Sequence, residues 1–240
     1  MEDIEQVLNP HKKWAWRPVT EEGDSPSSHS KFAGIPLLTA SETWPCCGHC
    51  SQPMQLFLQL SSKELPEEAN TPFGDGILQV FYCINEDKDC AGECKAFFPF
   101  SDSTLVRVLN FDNTLSDKHT IHPSAEANEL PQISIIGWEK IDDYPCAGEY
   151  DDLNIVMNDE QYERILDSDF EVRNGDKLLG WPLWGQSIEY PSCPECNEAM
   201  DYIFQIDSGN NLDFLFGDCG TAHITQCKTH RNQMTIAWAC

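Results

Sequence analysis

Lys31-Phe-Ala-Gly34-Ile-Pro36-Leu37, Trp44-Pro45-Cys46-Cys47-Gly-His-Cys50 and Met54-Gln-Leu-Phe-Leu-Gln59-Leu60 decide the fold, because the chain writes them twice. Residues 177–206 align with residues 31–60 at a constant offset, without a gap. They read Lys177-Leu-Leu-Gly180-Trp-Pro182-Leu183, then Tyr190-Pro191-Ser192-Cys193-Pro-Glu-Cys196, then Met200-Asp-Tyr-Ile-Phe-Gln205-Ile206. A second block repeats as well. Phe73-Gly74-Asp75-Gly76 leads into Ile77–Cys83, and Phe216-Gly217-Asp218-Cys219-Gly220 leads into Thr221–Cys227. The repetition predicts two related halves and makes the cysteines the first feature to explain.

The chain holds twelve cysteines, and its first residues, Met1-Glu-Asp-Ile-Glu-Gln, lack the basic-then-apolar order of a secretory signal. A cytoplasmic location is expected, and there thiols stay reduced, so the cysteines point to metal rather than disulfides. Zinc takes four ligands from thiolate and imidazole. In the second repeat, Cys193-x-x-Cys196 and Cys227-x-x-His230 form a Cys3His set with zinc-ribbon spacing. Cys240 competes for the fourth place; His230 is favoured because its spacing closes a tight turn, whereas Cys240 ends a strand. In the first repeat Cys47, Cys50 and Cys83 follow by symmetry, with Cys90 or Cys94 as the fourth ligand. A set that uses both Cys90 and Cys94 and omits Cys83 meets the same count. Cys46 aligns with Ser192 and reads as a bystander, while Cys146 and Cys219 read as core cysteines. A catalytic zinc keeps one position open for water, but each half here supplies four or more soft ligands. Two structural zinc ions are therefore expected, holding hairpins too short to bury a core alone.

The formal charge is −25, from 40 acidic and 15 basic residues. That disfavours nucleic acid and anionic membrane, which need Lys and Arg to neutralise phosphate. It favours a basic protein or peptide as partner. No apolar stretch approaches a membrane span. The acid is concentrated: Glu139 to Glu171 holds twelve Asp or Glu against Lys140 and Arg164. Candidate contacts are Asp142, Asp143, Glu149, Asp151 and Asp152, with Trp181 or Trp184 as anchors.

The expected fold is β-rich α+β, with two pseudo-twofold-related β-hairpin or sheet halves from an internal duplication, each carrying a zinc-ribbon-like knuckle. Residues 1–28 read as an N-terminal helix and linker, 29–110 as the first repeat, 111–170 as an acidic connector and 171–240 as the second repeat, together one compact domain. Expected strands are Gln55–Leu60, Ile77–Cys83, Lys95–Phe100, Thr104–Leu109, Ile133–Ile141 and Met234–Trp238. The connector also holds a helix, with Asn158 as N-cap, Gln161 at capping-box spacing, and Tyr162, Ile165 and Leu166 as its apolar face. Other chemistry is weakly signalled. His119 and His122 read as loop histidines. Asp75 and Asp218 could form a pair of carboxylates for acid–base work, but Gly-Asp more often opens a turn. No nucleophile elbow, phosphate loop or dinucleotide fingerprint is present.

Gly180-Trp-Pro-Leu-Trp-Gly-Gln, Cys193-Pro-Glu-Cys196, Phe204-Gln-Ile-Asp, Phe216-Gly-Asp-Cys-Gly, Lys31-Phe-Ala-Gly-Ile-Pro and Gly76–Cys83 resemble the bacterial YwqG-like family, a domain of unknown function. The resemblance runs from about residue 30 onward and implies a β-rich α+β fold with pseudo-twofold halves. Cys47-x-x-Cys50 through Gln59, and Cys193-x-x-Cys196 through Gln205, also resemble the programmed cell death protein two family. That second resemblance implies an acidic chaperone for a basic ribosomal protein, although the family's long insert is absent and Asp218-Cys-Gly departs from its Asp-Trp-Gly. The expected function is a non-enzymatic, zinc-stabilised acidic binding protein, a chaperone or adaptor for a basic protein. The alternatives are an immunity protein against a basic toxin, an enzyme using Asp75 and Asp218 or an open zinc, and a purely structural module.

Overall fold

Ten strands build one antiparallel sheet in the computed structural model, which describes residues 4–23, 29–39, 42–85, 90–111, 115–116, 130–166 and 170–240. A short helix α1 (Ile4–Leu8) leads into β1 (Lys13–Glu22). Then come β2 (Lys31–Phe32), β3 (Leu38–Thr39), β4 (Gln55–Ser61), β5 (Ile77–Tyr82), helix α2 (Cys90–Glu93), β6 (Thr104–Leu109) and β7 (Leu115–Ser116). The chain continues through β8 (Ile133–Asp143), helix α3 (Asp159–Leu166), β9 (Lys177–Leu179), β10 (Asp201–Asp207), β11 (Thr221–Gln226) and β12 (Met234–Ala239). The sheet order is β12-β11-β10-β9-β1-β8-β2-β4-β5-β6, and β3 pairs separately with β7. Outward from the central β1–β8 pair the two wings match in order and direction. Their outer edges approach one another: Trp238 N donates to Phe97 O at 3.1 Å and Phe100 N to Thr235 Oγ1 at 2.6 Å, so the sheet nearly closes.

Both wings share one interior. Phe57 stacks on Tyr82 at 4.9 Å between centroids, and Phe216 meets each of them edge-on at 6.0 Å. Trp238 Nε1 donates to Tyr82 OH at 2.9 Å, and Phe32 meets Phe204 at 6.2 Å. Burial of each such aromatic contributes roughly 2–3 kcal/mol. A separate cluster of Ile4, Leu8, Tyr144, Tyr150, Ile155 and Ile165 docks α1, the segment after β8 and α3 together. The capping box of α3 forms as expected, with Gln161 N donating to Asn158 Oδ1 and Asn158 N to Gln161 Oε1, each at 3.0 Å.

Two readings of the sequence are corrected. Residues 13–22 are not linker but the central strand, paired with β8 along its length and with β9 at Ala15 and Trp16. Residues 95–100 are turns after α2, not a strand; Phe97 instead packs edge-on against Trp238 at 5.8 Å. His119 and His122 lie outside the described residues.

A charged pair is sealed beside the central strands. Lys177 Nζ donates to Asp143 Oδ2 at 2.9 Å with both side chains fully buried. Asp143 also accepts from the backbone amides of Arg173 and Trp181, each at 2.7 Å. Burial pulls the Lys177 pKa down, and Asp143 counters that pull. On β11, His223 is buried too, and burial followed by the charge of Lys177 lowers its pKa to about 3.

Lys177→Met should cost about 3–5 kcal/mol, because it strands the Asp143 carboxylate in the interior; urea unfolding measures the loss, and an unchanged midpoint would contradict the pairing. His223 gives a pH signature. Its ordinary pKa is 6.5 and its folded value about 3, so between those limits the unfolded chain binds more protons. The contribution is whole above pH 6.5 and drains away as pH falls toward 3, at up to about 1.4 kcal/mol per unit. His223→Gln should flatten that part of the stability–pH curve relative to the parent.

Candidate metal centre

Each wing of the sheet ends in the same turn. Around the first, Cys47 N donates to Gln52 O at 2.8 Å, Ser51 N to Cys47 O at 2.9 Å and Met54 N to Pro45 O at 2.9 Å. Around the second, Cys193 N donates to Glu198 O at 2.9 Å, Asn197 N to Cys193 O at 2.8 Å and Met200 N to Pro191 O at 2.8 Å. Ser51 and Asn197 both sit at φ 60°, the left-handed corner that lets the chain reverse over so few residues. The turn projects both cysteines of each C-x-x-C to one side. The next strand pair delivers the third sulfur: Cys83 directly follows β5, and Cys227 directly follows β11.

The fourth donor differs between the wings. In the first it is Cys90, at the start of α2, and in the second it is His230, three residues past Cys227. Cys47, Cys50, Cys83 and Cys90 place their sulfurs within 4.8 Å of one another, and so do the donor atoms of Cys193, Cys196, Cys227 and His230. Among their edges are Cys47–Cys90 at 3.9 Å, Cys50–Cys83 at 3.7 Å, Cys196–Cys227 at 3.7 Å and Cys193 Sγ–His230 Nδ1 at 3.7 Å. A tetrahedron with metal–sulfur bonds of 2.3 Å has edges of about 3.8 Å. Both groups therefore fit one ion each, with four protein donors around it. His230 Nδ1 faces the group, and Nε2 lies 3.6 Å from Glu195 Oε2, a charge contact too long for a hydrogen bond.

The thiols also show the strain of crowding. Burial pushes the Cys50 thiol up, but hydrogen bonds from the Gln52 amide and from Cys90, Cys83 and Cys47 outweigh it and bring it down to about 7. Cys83 is pushed up to about 12, chiefly by burial, and Cys90 is pushed up by burial and by its Cys50 neighbour. In the second group the His230 amide, 3.2 Å from Cys227 Sγ, leads the effects that bring Cys227 down to about 6. One thiolate per group thus gains at the expense of its neighbours. Only a bound cation lets all of them ionise together.

Other candidates fall elsewhere. Cys94 and Cys240 lie outside both groups; Cys94 is half-buried one turn beyond Cys90, and Cys240 is exposed near Gly217. Asp75 accepts from Ser62 Oγ at 2.9 Å and Asp218 is exposed in the turn between Phe216 and Gly220; no hydrogen bond joins the two among the described residues. Three expected contact residues are corrected. Asp143 is sealed against Lys177, Glu149 is buried under Trp184 and Tyr190, and Trp181 is buried with its Nε1 on His11 O. Trp184 is half-buried and donates to Glu149 Oε1 at 2.8 Å. Asp142, Asp151 and Asp152 are exposed. The sequence reading missed Glu195, though it stands inside the C-x-x-C. It also missed Val156, which is 86% exposed, and it placed Tyr162 on the apolar face of α3, whereas Tyr162 is 39% exposed beside Tyr150.

With this geometry in place, comparison with known families is decisive on one point: the family described as Domain of unknown function (DUF1963) matches residues 30–229. The chain belongs to the DUF1963 family. That membership agrees with the YwqG-like resemblance of the repeated motifs. No curated protein matches this DUF1963 chain. No helix among the described residues is long and apolar enough to cross a membrane.

Elemental analysis of single variants tests the grouping. Cys90→Ser and His230→Gln should each lose up to one equivalent of bound metal, whereas Cys94→Ser and Cys240→Ser should lose none.

Proposed function

We propose that this protein is a non-enzymatic, zinc-stabilised acidic binding protein that captures a basic polypeptide as a chaperone or adaptor in the cytoplasm. Two zinc ions, one per group, clip two halves that arose by internal duplication, each through a zinc-ribbon-like knuckle. Soft sulfur donors with at most one imidazole suit zinc, and four protein donors leave no position for a reacting water. Cys47, Cys50, Cys83 and Cys90 would hold one ion, and Cys193, Cys196, Cys227 and His230 the other. Bound zinc would supply charge neutralisation and a rigid cross-link.

The acidic surface after β8 carries the binding half of the reading. Asp151, Asp152, Asp159, Glu160 and Glu163 are exposed and make no ion pair among the described residues. By contrast Asp142 is paired with Lys12 at 3.0 Å and Glu139 with Arg17 at 3.4 Å. Val156 and Tyr162 rise from the same surface as apolar anchors. A field of this sign speeds encounter with a cationic chain and rejects anionic ones. The resemblance to the programmed cell death protein two family points to the same class of partner.

Capture of a lysine- and arginine-rich polypeptide should weaken by about tenfold or more between low and several-hundred-millimolar salt, as expected for exposed charges. Replacing Asp151, Asp152, Asp159 and Glu160 by their amides should weaken it further without changing thermal stability. Salt-independent capture, or preference for an acidic chain, would refute the proposal. Chelation should speed amide exchange at the ends of β4–β5 and β10–β11 before the centre of the sheet opens.

A further inference from the structure

In the second wing the strand between β1 and β10 stops short. β9 is three residues long, and its two neighbours do not pair with each other. It meets β1 at Ala15 and Trp16 and β10 at Phe204 and Gln205. β1 nevertheless begins at Lys13 and β10 at Asp201, each held by its other neighbour, β8 and β11. Gly180, at φ 82°, turns the chain out of the sheet after β9, and Trp181 N donates to Asp143 Oδ2 at 2.7 Å. Beyond β9 the sheet therefore has a slot, with Lys13 and Trp14 on one bank and Asp201, Tyr202 and Ile203 on the other. The first wing offers one bank only: β8 begins at Ile133, opposite Phe32, the last residue of β2, and β4 alone runs on.

The slot has the width and the chemistry of one strand. Two strands that flank a third stand twice the strand spacing apart, about 9.6 Å. By the alternation of antiparallel pairing, one residue of Lys13–Trp14 and at least one of Asp201–Ile203 turn N–H and C=O into the gap. No backbone hydrogen bond reaches these groups across the gap among the described residues. The cleft they border holds about 640 Å³, inside the range of roughly 300–1,000 Å³ typical of ligand sites. One side of it is apolar: Trp16 and Ile203 belong to the shared core, and Trp14, on the same side as Trp16, is 48% exposed at the rim. Pro182 and Tyr190 also line it. Lys13 Nζ is engaged over the Trp181 ring at 3.3 Å, whereas Asp201 is exposed and makes no ion pair among the described residues. Tyr190 OH donates to Glu149 Oε1 at 2.9 Å, just before Asp151, so the acidic surface starts beside the cleft.

We propose that the slot takes up one extended segment of the basic partner, laid in line with β9 and hydrogen-bonded to β1 and β10 at once. The inference rests on the reading of the protein as a binder of basic polypeptides and adds how such a chain is held. Main-chain bonds on both banks supply affinity. Alternate side chains of the added strand turn toward Trp14 and Trp16, which select an apolar residue, while Asp201 at the open end suits a cation.

The test uses the full-length, metal-loaded protein and a short peptide of alternating valine and lysine, beside the same peptide with N-methylated valines. Methylation removes main-chain donors and keeps the charge. The unmodified peptide should bind at least about tenfold more tightly, and it alone should slow amide exchange on both banks of the slot. Trp14→Ala should weaken it several-fold and Trp14→Phe should not, with metal content unchanged in both. Equal binding of the two peptides, or unchanged exchange on the banks, overturns the slot; salt-sensitive capture that persists in that case leaves the wider reading intact. Equally tight binding of a valine–serine peptide does the reverse. Protection of the banks by self-association, without peptide, overturns the inference.

Discussion

Four donors packed within 4.8 Å at the end of a strand pair set the demand that the rest of each wing answers. Thiolates at that spacing repel, and thiols at that spacing waste the amides aimed at them. The opposed shifts of Cys50 and Cys83, one down to about 7 and the other up to about 12, express this conflict. A divalent ion bound there would resolve it by accepting all the donors at once. The turns at Cys47 and Cys193 are short and internally hydrogen-bonded, so the donors are arranged by the backbone rather than by flexible side chains. An ion bound there would clip the ends of β4–β5 and of β10–β11, where strands of six or seven residues would otherwise fray.

The clips alone would give two small modules. What makes them one body is the aromatic interior, where Phe57 and Tyr82 from one wing meet Phe216 and Trp238 from the other. The central pair β1–β8 then lies between wings that already share a core. The chain's charge is consequently displaced outward. The acids that enter the interior are individually answered, Asp143 by Lys177 and Glu149 by the Trp184 and Tyr190 side chains. Asp151, Asp152, Asp159, Glu160 and Glu163, after β8, face solvent, as do Val156 and Tyr162.

The sequence was most legible where one short spacing carries the information. The C-x-x-C turns, the cysteine after each strand and the capping box of α3 are local, and the structure places them as that spacing implies. Cys90 and Cys94 could not be told apart, because the loop after Cys83 is long enough to bring either one back. Residues 13–22 hid a central strand because Pro18 and four charged residues mark it as unpaired chain; β9 pairs only at Ala15 and Trp16, so Pro18 faces a single neighbour and loses little. The acidic run misled in a different way. Composition gave its sign, but Asp142 and Asp143 point to opposite sides of β8, one to water and one to Lys177, and only the register of that strand separates them.

The two wings close around the same buried glutamine by different means. In the first, Gln79, Arg107 and Glu42 complete the network around Gln59. The second keeps Gln205 but puts His223 in the place of Gln79 and Ala237 in that of Arg107, and Trp184, which aligns with Leu38 of the first, packs 4.6 Å from the His223 ring. A neutral imidazole suits that interior, because burial and the nearby Lys177 charge hold its pKa near 3 and leave it uncharged throughout the physiological range. One repeated frame thus accepts a charged closure in one wing and an uncharged aromatic one in the other, so long as the shared glutamine keeps its backbone partner.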